Sequence, residues 1–170
     1  MELAVRRARP ADAAAIAGVH VRAWQIGYRG LVPDAILDAM SVREREARWG
    51  EILDRDDAAS YTLVAERGRH LIGFCSIIAP SRDEDAGART AEVAAIYVEP
   101  DAWRTGAGSA LLSAALQGLR DDGWHAVTLW GFAANARART FYERFGFALD
   151  GREELDERSG QQEVRLLLRT

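Results

Sequence analysis

The chain has 170 residues, 48% of them hydrophobic and 28% charged, with a net charge of −4 at pH 7. That length suits one domain, residues 1–170, with a real core, and the acidic balance excludes a general nucleic-acid binder, whose surface would be basic. No apolar run approaches the ~20 residues of a membrane span, MELAVRRARP lacks the apolar segment of a secretory signal, and the single Cys75 excludes an internal disulfide and fits a reducing cytoplasm.

Leu3 to Arg7 alternates as a first strand, and Pro10 sits where a helix begins. Ala13, Ile16, Ala17, His20 and Ala23 or Trp24 recur at helical spacing until Gln25–Gly30, where two glycines break the helix. Pro33 opens a short helical segment, Asp34 to Met40. Ser41 then caps a further helix, with Glu44 completing a capping box and Val42, Trp49, Ile52 and Leu53 expected to face inward. Tyr61–Glu66 and Leu71–Ala79 read as a hairpin. The acidic stretch Ser81–Arg89 reads as a solvated loop.

Val93 to Val98 is an apolar, β-branched strand ended by Pro100, and Ser109 to Leu119 is a helix with Leu112, Ala115, Leu116 and Leu119 on one face. Between them lies Arg104-Thr105-Gly106-Ala107-Gly108. Glycines let a ligand approach backbone N–H groups closely. The first N–H groups of a helix lack internal partners and carry partial positive charge. The turn therefore suits a phosphate or pyrophosphate, although tight geometry alone, with Thr105 as N-cap, would also account for it. There is no Gly-Lys-Ser/Thr, so it is not a P-loop. A Rossmann turn would need a third glycine where Leu111 stands. His125–Trp130 is a further strand, Asn135 caps a helix with Ala138, Phe141, Tyr142 and Phe145 on its apolar face, and Gly146 ends it. Phe147–Arg152 and Gln162–Arg169 close the chain as an antiparallel pair joined by the charged loop Glu153–Gly160. The three histidines show no metal-ligand spacing, so no metal site is expected.

The strand Glu92–Val98, the segment Trp103–Leu112 and Asn135–Phe147, taken together, resemble the GNAT superfamily of acyl-CoA-dependent N-acetyltransferases. The resemblance implies a mixed α/β fold with a central, mostly antiparallel sheet of about seven strands and about four helices on both faces. It implies an enzyme that moves an acetyl group from acetyl-CoA, or another short acyl-CoA, to a primary amine of a small molecule or peptide by direct attack. A non-catalytic acyl-CoA sensor on the same fold is the alternative. Arg104, Thr105, Gly106, Ala107, Gly108 and Ser109 would hold the pyrophosphate. Main-chain groups of Ile96, Tyr97 and Val98 would pair with the pantetheine arm like an added strand, with Asn135 a further cofactor contact. Trp103 departs from the family's Gln or Arg at the head of the loop.

Helical spacing puts Tyr142 on a buried face, whereas the resemblance makes it the proton donor to the departing thiolate. Glu92 is the first candidate for the base that deprotonates the amine, directly or through a water, against a plain solvent-facing carboxylate. Trp24, Tyr28, Trp49 and Trp130 are candidate acceptor-pocket aromatics, with Arg29 as an anion contact. A homodimer is also open to a member of this family.

Overall fold

The computed structural model describes residues 2–55 and 57–170. Seven strands form one sheet: β1 (Leu3–Arg7), β2 (Tyr61–Arg67), β3 (His70–Ile78), β4 (Thr90–Val98), β5 (Ala126–Phe132), β6 (Ala148–Asp156) and β7 (Gln161–Arg169). Their order is β1-β2-β3-β4-β5-β7-β6, and every neighbouring pair is antiparallel except β4 with β5. Five α-helices join them: α1 (Ala13–Gly27), α2 (Asp34–Asp38), α3 (Val42–Leu53), α4 (Ala107–Asp121) and α5 (Ala136–Glu143).

The helices divide between the two faces of the sheet by the side each presents. α4 buries Leu111, Leu112, Ala115, Leu116 and Leu119 against Leu63, Cys75, Ile77, Val93 and Leu129. Each such leucine contributes ~2 kcal/mol of burial, which secures α4 to the sheet centre. Phe141 and Tyr142 of α5 pack against the same cluster. On the opposite face Ile16, Ala17 and Val19 of α1 and Trp49 of α3 cover Val64 and Phe74.

Four local expectations are corrected. α1 runs through the first glycine and stops only at Tyr28, ahead of Gly30 at φ +84. A glycine costs a helix about 1 kcal/mol, which tertiary packing outweighs here. Val42 is exposed, because it occupies the first turn of α3 ahead of the buried stripe. β6 extends to Asp156, since pairing with β7 continues through charged residues on an exposed edge strand. Finally, Asp83 and Asp85 of the acidic loop are not simply solvated. They flank Arg165, a nearly fully buried guanidinium on β7 that also binds Asp150 at 2.7 Å. A buried cation requires counter-charges, and this one recruits them from 80 residues away in sequence.

Candidate active site

β4 and β5 pair only from Thr90–Val93 with Ala126–Leu129. Beyond that they diverge, so the Ala94–Val98 edge of β4 has no strand partner on its β5 side. The fork opens onto a cleft of about 900 Å³ lined by Ile96, Tyr97, Val98, Arg104, Gly106, Gly108, Ser109 and Asn135, together with Trp103 and α5 residues. A smaller cavity of about 50 Å³ lies between the strands, against Trp130, Phe132 and Tyr97. Tyr142 and Tyr28 line both. The structure thus brings eight of the ten predicted cofactor residues to one cleft. Thr105 and Ala107 stay outside it: Ala107 is buried in the core, and the Thr105 hydroxyl donates to Ala102 O (2.7 Å) while accepting from Arg67 (2.8 Å).

Gly106, not Thr105, is the N-cap of α4. Its φ of +92 is left-handed, and a Cβ built there would meet nothing within 4 Å. The backbone is therefore the whole constraint. We expect Gly106→Val to fold, with the ~1–2 kcal/mol strain of a side chain at positive φ lowering the melting temperature by about 3–6 °C. Relief of that strain turns the peptide planes of the loop, so acetyl-CoA affinity, measured by titration calorimetry, should fall at least about tenfold. Unchanged affinity would detach this turn from cofactor binding.

Trp103 explains its own departure from the family pattern. Its indole N–H donates to Val98 O (2.8 Å), its ring lies 3.7 Å from where a Cβ on Gly27 would sit, and the Arg137 guanidinium stacks on it at 4.1 Å. It ties the end of β4 to the end of α1. Its bond takes one acceptor site at the open edge of β4, where Ile96 and Val98 carry the main-chain groups that face away from β3; Tyr97 and Glu99 face β3, as the bond from Glu99 N to Ile72 O shows. Sequence reasoning missed Arg137 and Arg144, which also line the cleft from α5. The three arginines in Ala136–Arg144 were the available signal. Asn135 Oδ1 accepts from Ala138 N (3.2 Å), which secures its capping role.

Tyr142 is positioned by its ring, packed edge-on to Phe141 and Phe147. Burial, with Tyr97 and Cys75 nearby, raises its pKa well above the usual phenol. Cys75 itself is fully buried, and burial pushes its thiol up to about 12, so it is an inert core residue.

Two of the candidate acceptor aromatics, Trp24 and Tyr28, lie in an aromatic cluster around Tyr97. His20 stacks on Tyr97 with centroids 5.1 Å apart, the Tyr28 and Tyr97 hydroxyls are 3.4 Å apart, and Trp24 meets Tyr28 edge-on at 4.8 Å. Trp24 lines neither cavity, and its buried Nε1 has no hydrogen-bond partner among the described residues. Trp49 belongs to the core, where its Nε1–H donates to His20 Nδ1 (3.1 Å). Trp130 donates to Asp83 Oδ1 (3.0 Å), with Arg165 over its ring at 5.7 Å. Arg29 is neutralised by Asp34 and Asp38, so it is not a free anion contact.

Glu92 lines neither cavity. It is 3% exposed, not solvent-facing, and its carboxylate accepts from the main-chain N–H, Nε and Nη2 of Arg82. Among the described residues no three His, Cys, Asp or Glu side chains are arranged to hold a metal ion, and no helix is long and apolar enough to cross a membrane.

The fold and cleft agree with what the chain is similar to. The family model described as Acetyltransferase (GNAT) family matches residues 28–147. An uncharacterized N-acetyltransferase of Bacillus subtilis, YuaI, is 30% identical over 141 residues, covering 83% of this chain and 78% of that one. The crystal structure of the PaiA N-acetyltransferase of Thermoplasma acidophilum in complex with coenzyme A superposes with a TM-score of 0.79, at 19% identity and full coverage of both chains. That of YncA of Salmonella typhimurium with acetyl-CoA gives 0.73, at 22% identity, covering 98% of this chain and 93% of that one. The strand fork and the glycine turn both lie within the matched 120 residues, and the chain belongs to the GNAT family of acetyltransferases.

Proposed function

We propose that the chain moves an acetyl group from acetyl-CoA to a primary amine of a small molecule or peptide, by direct attack with both substrates bound. The observation that carries this is the β4–β5 fork with Tyr142 at the junction of its two cavities. Acetyl-CoA supplies an activated acyl thioester; the residues of this chain bind, orient and manage protons. The N–H groups of Gly106–Ser109 suit a diphosphate, because they open α4, where the first N–H groups lack helical partners, and Gly106, Gly108 and Ser109 line the cleft. Arg104, Arg137 and Arg144 add positive charge along the same cleft. The open edge of β4, where Ile96 and Val98 face away from β3, suits the amide-bearing arm, which leads toward Tyr142.

Tyr142 holds its proton across the physiological range and is the group assigned to the departing sulfur. Glu92 stands on the strand that leads into the fork and would take up the amine's proton only through a water, because Arg82 occupies its carboxylate. A deprotonated amine is the nucleophile, so a proton acceptor on the Tyr97 side is part of the reading.

The test is thiol release from acetyl-CoA with a panel of amines. Amine-dependent release, with the acetylated product identified by mass, is the expected outcome. Binding of acetyl-CoA with no release for any amine would favour the alternative of a sensor module.

A further inference from the structure

Two charged side chains on the acceptor side stand apart from the ion-pair network. Glu163 on β7 lies directly opposite Phe132 in the sheet register, and opposed residues share a face. Phe132 meets Tyr28 at 5.0 Å, so the Glu163 carboxylate is on the acceptor face. Arg45 stands one turn before Trp49 on α3, on the side that reaches His20 and, through it, Tyr97. Both side chains are half-buried.

Among the described residues neither makes an ion pair, with the other or with anything else. The contrast with the buried carboxylates is sharp: Glu92, Asp12 and Asp83 are each matched to an arginine. Half-burying a charge without a partner costs free energy, and such uncompensated charges concentrate where a ligand meets the protein. Burial, with Asp156 and Glu154 nearby, raises the Glu163 carboxyl. Burial, with Arg48 and Arg158 nearby, lowers the Arg45 guanidinium. The Tyr97 phenol, held high chiefly by burial, is pushed up by Glu163 and down by Arg45, so both charges are felt at one hydroxyl.

We propose that the acceptor is a zwitterion, an amino acid or short peptide whose ammonium faces Glu163 and whose carboxylate is held by Arg45, on the Tyr97 side of the fork. The inference rests on the acetyltransferase reading and narrows its acceptor. A guanidinium fork matches a carboxylate in a way a carboxamide cannot reproduce.

The experiment compares free amino acids and dipeptides with their carboxamides and decarboxylated amines, using acetyl-CoA and following thiol release. The free acids should exceed their carboxamides in kcat/KM at least about tenfold, mainly through KM. Arg45→Gln should narrow that preference to within about twofold, whereas Arg45→Lys restores part of it. Glu163→Gln should raise KM for the amine severalfold, with the acetyl-CoA Kd of each variant reporting that the fold is intact. Wild-type enzyme that uses carboxamides or simple amines as well as the free acids, or an Arg45→Gln variant that keeps the full preference, overturns the zwitterion while leaving acetyl transfer in place. Failure of every acceptor to release thiol, with acetyl-CoA bound, overturns the transferase reading and the zwitterion with it.

Discussion

Tyr142→Phe should lower kcat about a hundredfold and leave the acetyl-CoA Kd within about twofold of wild type. The substitution removes one oxygen and keeps the ring, which Phe141, Phe147 and the α4-side core hold in place. Fold and cleft are therefore preserved, and what is lost is a proton donor at the junction of the two cavities. The raised pKa of Tyr142 has two consequences. The phenol remains protonated at every pH at which the enzyme works, so the donor is always present. It is also a weaker acid than a thiol of pKa ~8.5, so complete transfer to sulfur is uphill. In the proposed mechanism its main contribution is a charge-assisted hydrogen bond that strengthens as negative charge gathers on the leaving atom. Single-turnover measurement of thiol release isolates that step from product departure. A rate within about threefold of wild type would remove Tyr142 from the chemistry and return it to the core.

Acidification from about pH 7 to pH 4 should destabilise the protein, with about 3 kcal/mol of the loss assigned to His20. His20 is 8% exposed, accepts from Trp49 and stacks on Tyr97. Burial, with the positive charges of Arg45 and Arg48 nearby, lowers its pKa from 6.5 to about 3. The folded protein thus holds a neutral imidazole where the unfolded chain binds a proton. Stability rises with pH wherever the unfolded state carries more protons. The contribution of His20 is therefore complete above about pH 6.5 and is lost progressively as the pH falls toward 3. His20→Gln keeps an oxygen to accept from Trp49 but has no titrating group. Chemical denaturation of both proteins at several pH values should show the variant with the shallower decline. Parallel declines would mean that His20 is protonated in the native state and that the Trp49 hydrogen bond does not specify its tautomer. The same residue stacks on Tyr97, so acid that charges His20 also loosens the aromatic cluster around that ring.

The legible part of this protein was the part governed by local chemistry. Alternation and helical spacing located all seven strands and the principal helices, because one-sided burial imposes periods of two and 3.6 on any chain that folds this way. The Ser41 and Asn135 caps were readable for the same reason: each serves a donor three residues away, Glu44 N and Ala138 N. The glycine turn and the strand before it pointed to the cleft because backbone donors need no long-range partner to be recognised.

Charge pairing was not legible. Nothing in the order of residues says that Arg82 occupies Glu92, that Arg29 is spent on Asp34 and Asp38, or that Arg165 draws Asp83 and Asp85 onto the sheet. Nor does it say that Trp49 is core while Tyr28 lines both cavities. Sequence alone determined the elements, their order and the glycine turn, since each depends on neighbours within a few residues. Which carboxylates and guanidinium groups are neutralised, and that Arg45 and Glu163 make no ion pair among the described residues, was decided only when folding brought together groups as far apart in sequence as Arg165 and Asp85, 80 residues away. Electrostatic pairing depends on distance in space, and spatial distance does not exist until the chain has folded.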